Sequence, residues 1–355
     1  MDIYKQILRP LLFALDAEST HNLVKKLLRR PALSRLFAGS RLFIKDERLR
    51  VDLSGVEAPN PVGLGAGFDK DADMANSLMQ FGFGYIVSGS IMYHVRPGNP
   101  RPRMIRDPQR EALFSCMGLP SRGLDYAVGK LRRRRYCNVP LIVNINAENF
   151  EEYLTTFEAV QPYADIVEIN LFCPNVPDES SGFLDPDGAG PLLAEIASRK
   201  KRPVFIKLPG YVTESERQRR LDLVWTIHKH GIEGIAFAPE SLVKEKRLSI
   251  GQGTLTGRPF FPQIMGIIRD VYSLVGDDMV IKASGGIVTG DEAFQAIAEG
   301  ASSVELYTGL IYEGWNIARN INRRLIKLMD VHHVKNVKAL RGSQNLEIAT
   351  QSARV

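Results

Sequence analysis

Cysteine is scarce in this chain: Cys116, Cys137 and Cys173 are the only three in 355 residues, and their spacing is irregular. That supply excludes a disulfide framework and a cysteine-based metal knuckle, and no metal site is expected. A reducing, cytoplasmic setting follows from the same scarcity. Long apolar runs are missing too. Stretches such as 141–143 and 280–281 fall far short of the ~20 residues a spanning helix needs. Asp2 and Lys5 interrupt the start and no small-residue cleavage site follows, so a signal peptide is not expected. Neither sign of charge dominates, with 46 basic against 40 acidic residues and a formal charge of +6. The basic residues are unevenly placed, however. Arg29, Arg30 and Arg35 crowd the N-terminal segment, and residues 132–135 are all arginine. Such clusters suit an anionic membrane face, a nucleic acid, or simply a solvated helix end. No nucleic-acid-binding motif accompanies them, so a nucleic-acid partner is not expected.

What is present points to a globular enzyme. Hydrophobic residues make up 44% and charged residues 24%, enough for a real core, and the length suits one barrel of ~250 residues with an appendage. Residues 1–45 form that appendage. Ile3, Ile7, Leu8, Leu11, Leu12, Phe13 and Leu15 fall at helical spacing, and after a stop at Asp16 a second helix carries Leu23, Val24, Leu27 and Leu28 beside Lys25, Lys26, Arg29 and Arg30. Two amphipathic basic helices in a hairpin can lie in a membrane interface through residues 1–40, which would make the protein peripheral on the inner face of the cell membrane. They can equally cap the main domain, and the pattern leaves both open.

From about residue 60 short β-prone runs alternate with helical stretches, at 62–66, 85–88, 141–145, 166–169, 204–208, 234–237, 279–283 and 303–307. Eight strands alternating with helices predict an α/β fold, a (β/α)8 TIM barrel over 46–340 with an N-terminal helical extension. Residues 341–355 read as a polar tail. An open doubly wound sheet would want a Gly-x-Gly-x-x-Gly turn, and Gly63-Leu-Gly65-Ala-Gly67 lacks that spacing.

Barrels of this kind place their chemistry at the carboxyl ends of the strands. There the sequence puts Lys70, Ser90, Asn144, Asn170, Cys173, Asn175, Lys207 and several Gly-rich turns. Ser284-Gly285-Gly286 and Tyr307-Thr308-Gly309, after the seventh and eighth strands, stand where backbone N–H groups commonly hold a phosphate. Lys207 ends an apolar run and needs an anionic or electron-rich partner, for which the N1–C2 carbonyl edge of a flavin is one candidate. Cys173, bracketed by amides in a proline-stiffened loop, is suited to work as a base, whereas Cys137 and Cys116 fit the inert apolar role of most free thiols.

At this point the residues resemble a family. Gly67-Phe-Asp-Lys70-Asp-Ala, the turn Pro97-Gly-Asn-Pro-Arg-Pro-Arg103, Met117-Gly118, the run 170–177, Thr256-Gly-Arg-Pro259, Gly285-Gly286-Ile and Tyr307-Thr-Gly309 are similar, in order and spacing, to the dihydroorotate dehydrogenases. Phe13-Ala-Leu-Asp16 and His21 resemble the N-terminal helices of the membrane-associated, quinone-linked class. The resemblance implies FMN held by Ala66, Gly67, Ser90, Asn144, Asn170, Lys207, Gly257, Gly285, Gly286, Tyr307 and Thr308. It implies that Lys70, with the backbone of Met117, Gly118 and Leu119, binds the substrate carboxylate, and that Asn170 and Asn175 read the ring amides. Cys173 would be the base, and a quinone the acceptor.

Three positions depart from the pattern. Cys173 is the base of the soluble classes, where the quinone-linked class carries serine. Ser115 stands where the family has an asparagine that bonds the pyrimidine. Ala238-Pro239-Glu240 replaces Thr-Asn-Thr, so a second ring-reading amide is gone and Glu240 brings a carboxylate to the ring pocket unless it points outward. Each unsatisfied substrate hydrogen bond costs ~1–3 kcal/mol. The expectation is therefore oxidation of dihydroorotate to orotate. Beside it stand a member diverged to another small cyclic or carboxylate substrate, and a non-catalytic flavin-binding barrel.

Overall fold

A computed structural model of the chain describes residues 3–32, 34, 41–134, 139–172, 181–239 and 241–343. Eight parallel strands pair in chain order and close on themselves: β1 (Val62–Asp69), β2 (Tyr85–Ile91), β3 (Leu141–Ile145), β4 (Ile166–Asn170), β5 (Val204–Pro209), β6 (Gly234–Ala238), β7 (Val280–Ser284) and β8 (Ser303–Leu306). The expected (β/α)8 barrel is what forms. Boundaries move slightly. Met279 precedes β7, and Tyr307 has left β8 to begin the helix Thr308–Glu313.

Side chains alternate between the two faces of each strand, and here one face fills the barrel while the other meets the surrounding helices. Tyr85, Val87, Ile142, Ile166, Phe205 and Val280 form one buried cluster, joined by Leu53 and Ala58 from the hairpin at residues 51–58. Two glycines make room for its rings. A Cβ on Gly63 would stand 2.2 Å from the Tyr85 ring, and one on Gly234 would stand 2.4 Å from Phe205. Residues of opposite parity, such as Ile86, Val143, Val167 and Ile206, join the helices in the larger outer core.

A second sheet went unread in the sequence. Strands 241–244, 252–257, 112–115 and 104–107 pair antiparallel in that order. They belong to the connections after β2 and β6, and they stand beside the barrel mouth. The runs are short, and the pairing brings together segments far apart in the chain, which local periodicity does not record.

Among the described N-terminal residues, 4–13 are helical and Ala17–Leu28 is an α-helix. Asp16, the expected stop, caps the latter by accepting from the amides of Glu18 and Ser19. The hairpin is docked. Tyr4 packs edge-on against Trp315 and donates to the Ile311 carbonyl, and Lys5 pairs with Glu313 at 2.6 Å. Lys25 reaches Asp71 and Asp73, at 2.9 and 3.1 Å. Even so, Ile3, Ile7, Leu11, Leu15, Leu23 and Leu27 remain exposed. The arginine run at 132–135 is partly absorbed by the protein itself: Arg134 pairs with Asp165, and Arg132 lies over Tyr163. Arg135 lies outside the described residues.

Candidate active site

The strand ends open into a cleft with about 1380 Å³ of atom-free space, continuous with solvent. β1 contributes Gly65, Ala66 and Gly67; Lys70, Ser90, Asn170 and Lys207 follow around the rim. Ser284, Gly285, Gly286, Tyr307, Thr308 and Gly309 close one end, while Ser115, Met117, Gly118, Leu119 and Gly257 form the wall beside the antiparallel sheet. Residues read separately from the sequence are thus brought to one place. Asn144 is the exception, since it lies one layer beneath the lining and is fully buried. Cys173, Asn175 and Glu240, with Cys137, lie outside the described residues.

One end of the cleft is shaped by backbone. Gly257, Gly285 and Gly286 have φ of 112°, 138° and 73°, values that side-chain-bearing residues rarely adopt. At Gly286 a Cβ would also fall 2.5 Å from the Phe261 nitrogen. Thr256 and Thr308 place their hydroxyls 3.2 Å apart beside these turns. A glycine cradle with two hydroxyls beside it fits a phosphate-bearing group.

Lys70 follows β1 directly. Its ammonium donates to the Gly67 carbonyl at 2.5 Å. Burial, then the Lys25 charge, lowers its pKa from 10.5 to about 8, with Arg103 adding to the depression and Asp71 and Glu18 opposing it. An anion arriving in the cleft would favour the charged ammonium and offset that desolvation penalty. Beside it Asp69 is wholly buried; desolvation raises its pKa to about 6 although Ser88 and the Met74 amide hydrogen-bond to it. His21, half-buried and edge-on against Phe68, is pushed down to about 3 by desolvation, and Lys70 and Lys25 add to the shift.

The floor is a hydrogen-bonded chain. Asn170 Nδ2 donates to Ser90 Oγ at 3.4 Å, and Ser90 donates to Asn144 Oδ1 at 2.5 Å. Asn144 Nδ2 donates to Glu168 Oε1 at 2.7 Å. Below lies a group that the sequence reading missed. Lys282, fully buried on β7, donates at 2.5 Å both to Glu168 Oε2 and to Glu305 Oε1. Despite desolvation, Glu168 is held below the usual carboxylate range by Lys282 and Lys207, and the two carboxylates hold Lys282 above its ordinary value. Strand parity was the available signal. Glu168 lies two residues before Asn170, Lys282 two before Ser284, and Glu305 two after Ser303, so all three face inward. Thr254, Thr256 and Arg258 line the cleft as well and were not read as site residues.

The wall carrying the altered ring contacts is well defined where it is described. Ser115 pairs with Met104 and Thr254 across the sheet, and its carbonyl accepts from Thr254 Oγ1 at 3.0 Å. Pro239 packs toward Gly210 and Gly285, where an added Cβ would lie 2.9 Å from it. Both residues line the cleft, and neither brings an amide side chain.

Comparison with known proteins agrees with this architecture. The sequence profile of the family described as dihydroorotate dehydrogenase matches residues 48–329. A protein named dihydroorotate dehydrogenase (quinone) from Chloroflexus aurantiacus is 31% identical over 352 residues, covering 91% of this chain and 96% of its own. One of the same name from Roseiflexus sp. is 35% identical, covering 90% and 93%. The crystal structure of DHODH from Eimeria tenella in complex with ferulenol superposes with a TM-score of 0.83 at 25% identity, covering 95% of this chain and 99% of that one. With its barrel and nearly its whole length accounted for in this way, the chain belongs to the dihydroorotate dehydrogenase family.

Proposed function

We propose that the protein is an FMN-dependent oxidoreductase that converts dihydroorotate to orotate and passes the electrons to a quinone. The observation that carries this reading is the meeting of Lys70, Asn170, Lys207 and the glycine cradle in one cleft, together with relatives named as quinone-linked dihydroorotate dehydrogenases. The cradle at Gly257, Gly285 and Gly286 suits the FMN phosphate, and Lys207 suits the electron-rich N1–C2 edge of its ring. FMN, when bound, supplies the hydride acceptor. Lys70 holds the substrate carboxylate beside the backbone of Met117, Gly118 and Leu119. Asn170 and Asn175 read the ring amides. Cys173 takes the proton from the carbon adjacent to the one that gives up hydride, and a base so positioned contributes ~10²–10⁴-fold.

Ser115 and Pro239 favour a second reading, in which flavin chemistry and carboxylate anchoring persist while the ring contacted by that wall differs. One experiment separates the two. Anaerobic mixing of the purified protein with dihydroorotate is expected to bleach the visible flavin band, and Cys173→Ala to abolish the bleaching. If the wild type stays yellow with dihydroorotate yet bleaches on photoreduction, the second reading stands. A colourless protein that takes up no FMN sinks both.

The exposed apolar row on the N-terminal helices supports a peripheral membrane contact, through which a lipid-soluble quinone would arrive. No helix among the described residues is long and apolar enough to cross a membrane.

A further inference from the structure

The barrel-axis cluster has one atom left over. Glu305 is 1% exposed, and its Oε1 accepts from Lys282, but its Oε2 has no hydrogen-bond partner. A buried carboxylate oxygen without a donor is costly, and such groups call for an explanation in ligand binding or catalysis. This one borders the cleft, where Glu305 is part of the lining. Gly65, also in the lining, stands directly beside it: a Cβ there would lie 3.5 Å from Oε2, in ordinary contact. The neighbouring donors bond other atoms, although the Tyr85 hydroxyl also lies against the Glu305 carboxylate. Lys282 is shared between two carboxylates, the Tyr85 hydroxyl bonds Ser303 Oγ at 3.0 Å, and the Asn144 amide serves Glu168. None of these hydrogen bonds reaches Oε2, and a ligand on the cleft floor can supply one.

We propose that Glu305 is a cofactor-binding residue whose Oε2 accepts a hydrogen bond from a hydroxyl or ring N–H of the flavin, with Lys282 beneath it holding the carboxylate in place. This rests on the FMN reading above. It has an electrostatic consequence. A carboxylate under the flavin opposes the negative charge that reduction adds, so it lowers the flavin's reduction potential. It works against Lys207, and the pair sets the potential between them.

Glu305→Gln tests both consequences. Glutamine keeps the shape, but whichever way its amide turns, its NH2 faces either the Lys282 ammonium or the ligand's donor. Glu305→Leu removes the acceptor and leaves Lys282 and Glu168 as a one-to-one pair. Deflavinated wild type and variants would be titrated with FMN, following the quenching of free-flavin fluorescence, and the potential of each reconstituted protein measured against reference dyes. The expected result is a loss of FMN affinity of about tenfold or more in both variants, with a potential higher than wild type. If Glu305→Leu does not fold, Glu305→Gln decides alone. Unchanged affinity and potential in the folded variants would overturn the proposal, leaving Oε2 as a merely hydrated atom. Failure of the wild type itself to bind FMN would instead overturn the cofactor reading, and that outcome is seen before any variant is measured.

Discussion

Lys70 shows how a residue's role is set by what surrounds it. Its folded pKa is about 8 against 10.5 for the ordinary amine, because burial and then Lys25 disfavour the ammonium. A bound carboxylate favours the ammonium and raises the value again. Anion affinity should therefore be flat at low pH and fall as pH rises through about 8, where the free protein begins to hold a neutral amine. Orotate titrated into the flavoprotein, read by the flavin spectrum across about pH 6 to 10, would check this. Lys70→Gln should weaken binding by roughly 10–100-fold and remove the pH dependence, since a charge-assisted hydrogen bond is worth ~1.5–3 kcal/mol. An equally steep pH dependence in Lys70→Gln would assign the titration to another group. Lys282 makes the opposite case: its ammonium contributes to stability, because two buried carboxylates close on it. Removing one partner from a buried ionic cluster costs ~3–5 kcal/mol. Lys282→Met should lower the urea midpoint accordingly, and a wild-type midpoint would show that the cluster is hydrated or uncharged. Lys70 was legible as a site residue because it sits in a motif at a strand end. Lys282 was not, because a lone lysine within an apolar strand is ambiguous until the partners facing it are known.

At the scale of elements, the N-terminal helices take at least one of the two roles that their pattern left open. Tyr4, Lys5 and Lys25 dock the hairpin on the barrel, so part of it is a cap. The face it turns outward is apolar, with Leu11 64% exposed and Ile3 57%, and Lys26 and Arg30 stand exposed nearby. An apolar helix face beside cations is suited to an anionic lipid interface. Full-length protein should sediment with vesicles containing anionic lipid, while Leu11→Glu with Leu23→Glu should leave it in the supernatant with its flavin retained. Deletion of residues 1–40 should do the same. Full-length protein that never sediments would reduce the hairpin to a cap. Amphipathicity is visible in a sequence as periodicity, but which part of a helix surface is covered depends on what it packs against. Here the partners are Glu313 and Trp315, far along the chain.

For the molecule as a whole, closure of the barrel turns a list of strand ends into a site. Asn170, Lys207 and Ser284 lie on β4, β5 and β7, and the register Asn170↔Lys207↔Ala236↔Lys282 carries the inward face from one strand to the next. The alternation of short β-prone runs with helices was enough to determine eight parallel strands, because strand and helix periods are local properties of the chain. The same reading determined the end of the barrel where the polar residues gather, since strand polarity is written in chain direction. Only the tertiary structure decided what lies beneath those residues and beside them. The Glu168–Lys282–Glu305 cluster joins three strands, and the antiparallel wall bearing Ser115 joins the connections after β2 and β6. Each includes a pairing between residues more than a hundred positions apart, Glu168 with Lys282 and Ser115 with Thr254, which leaves no periodic trace in the sequence and exists only once the chain has folded.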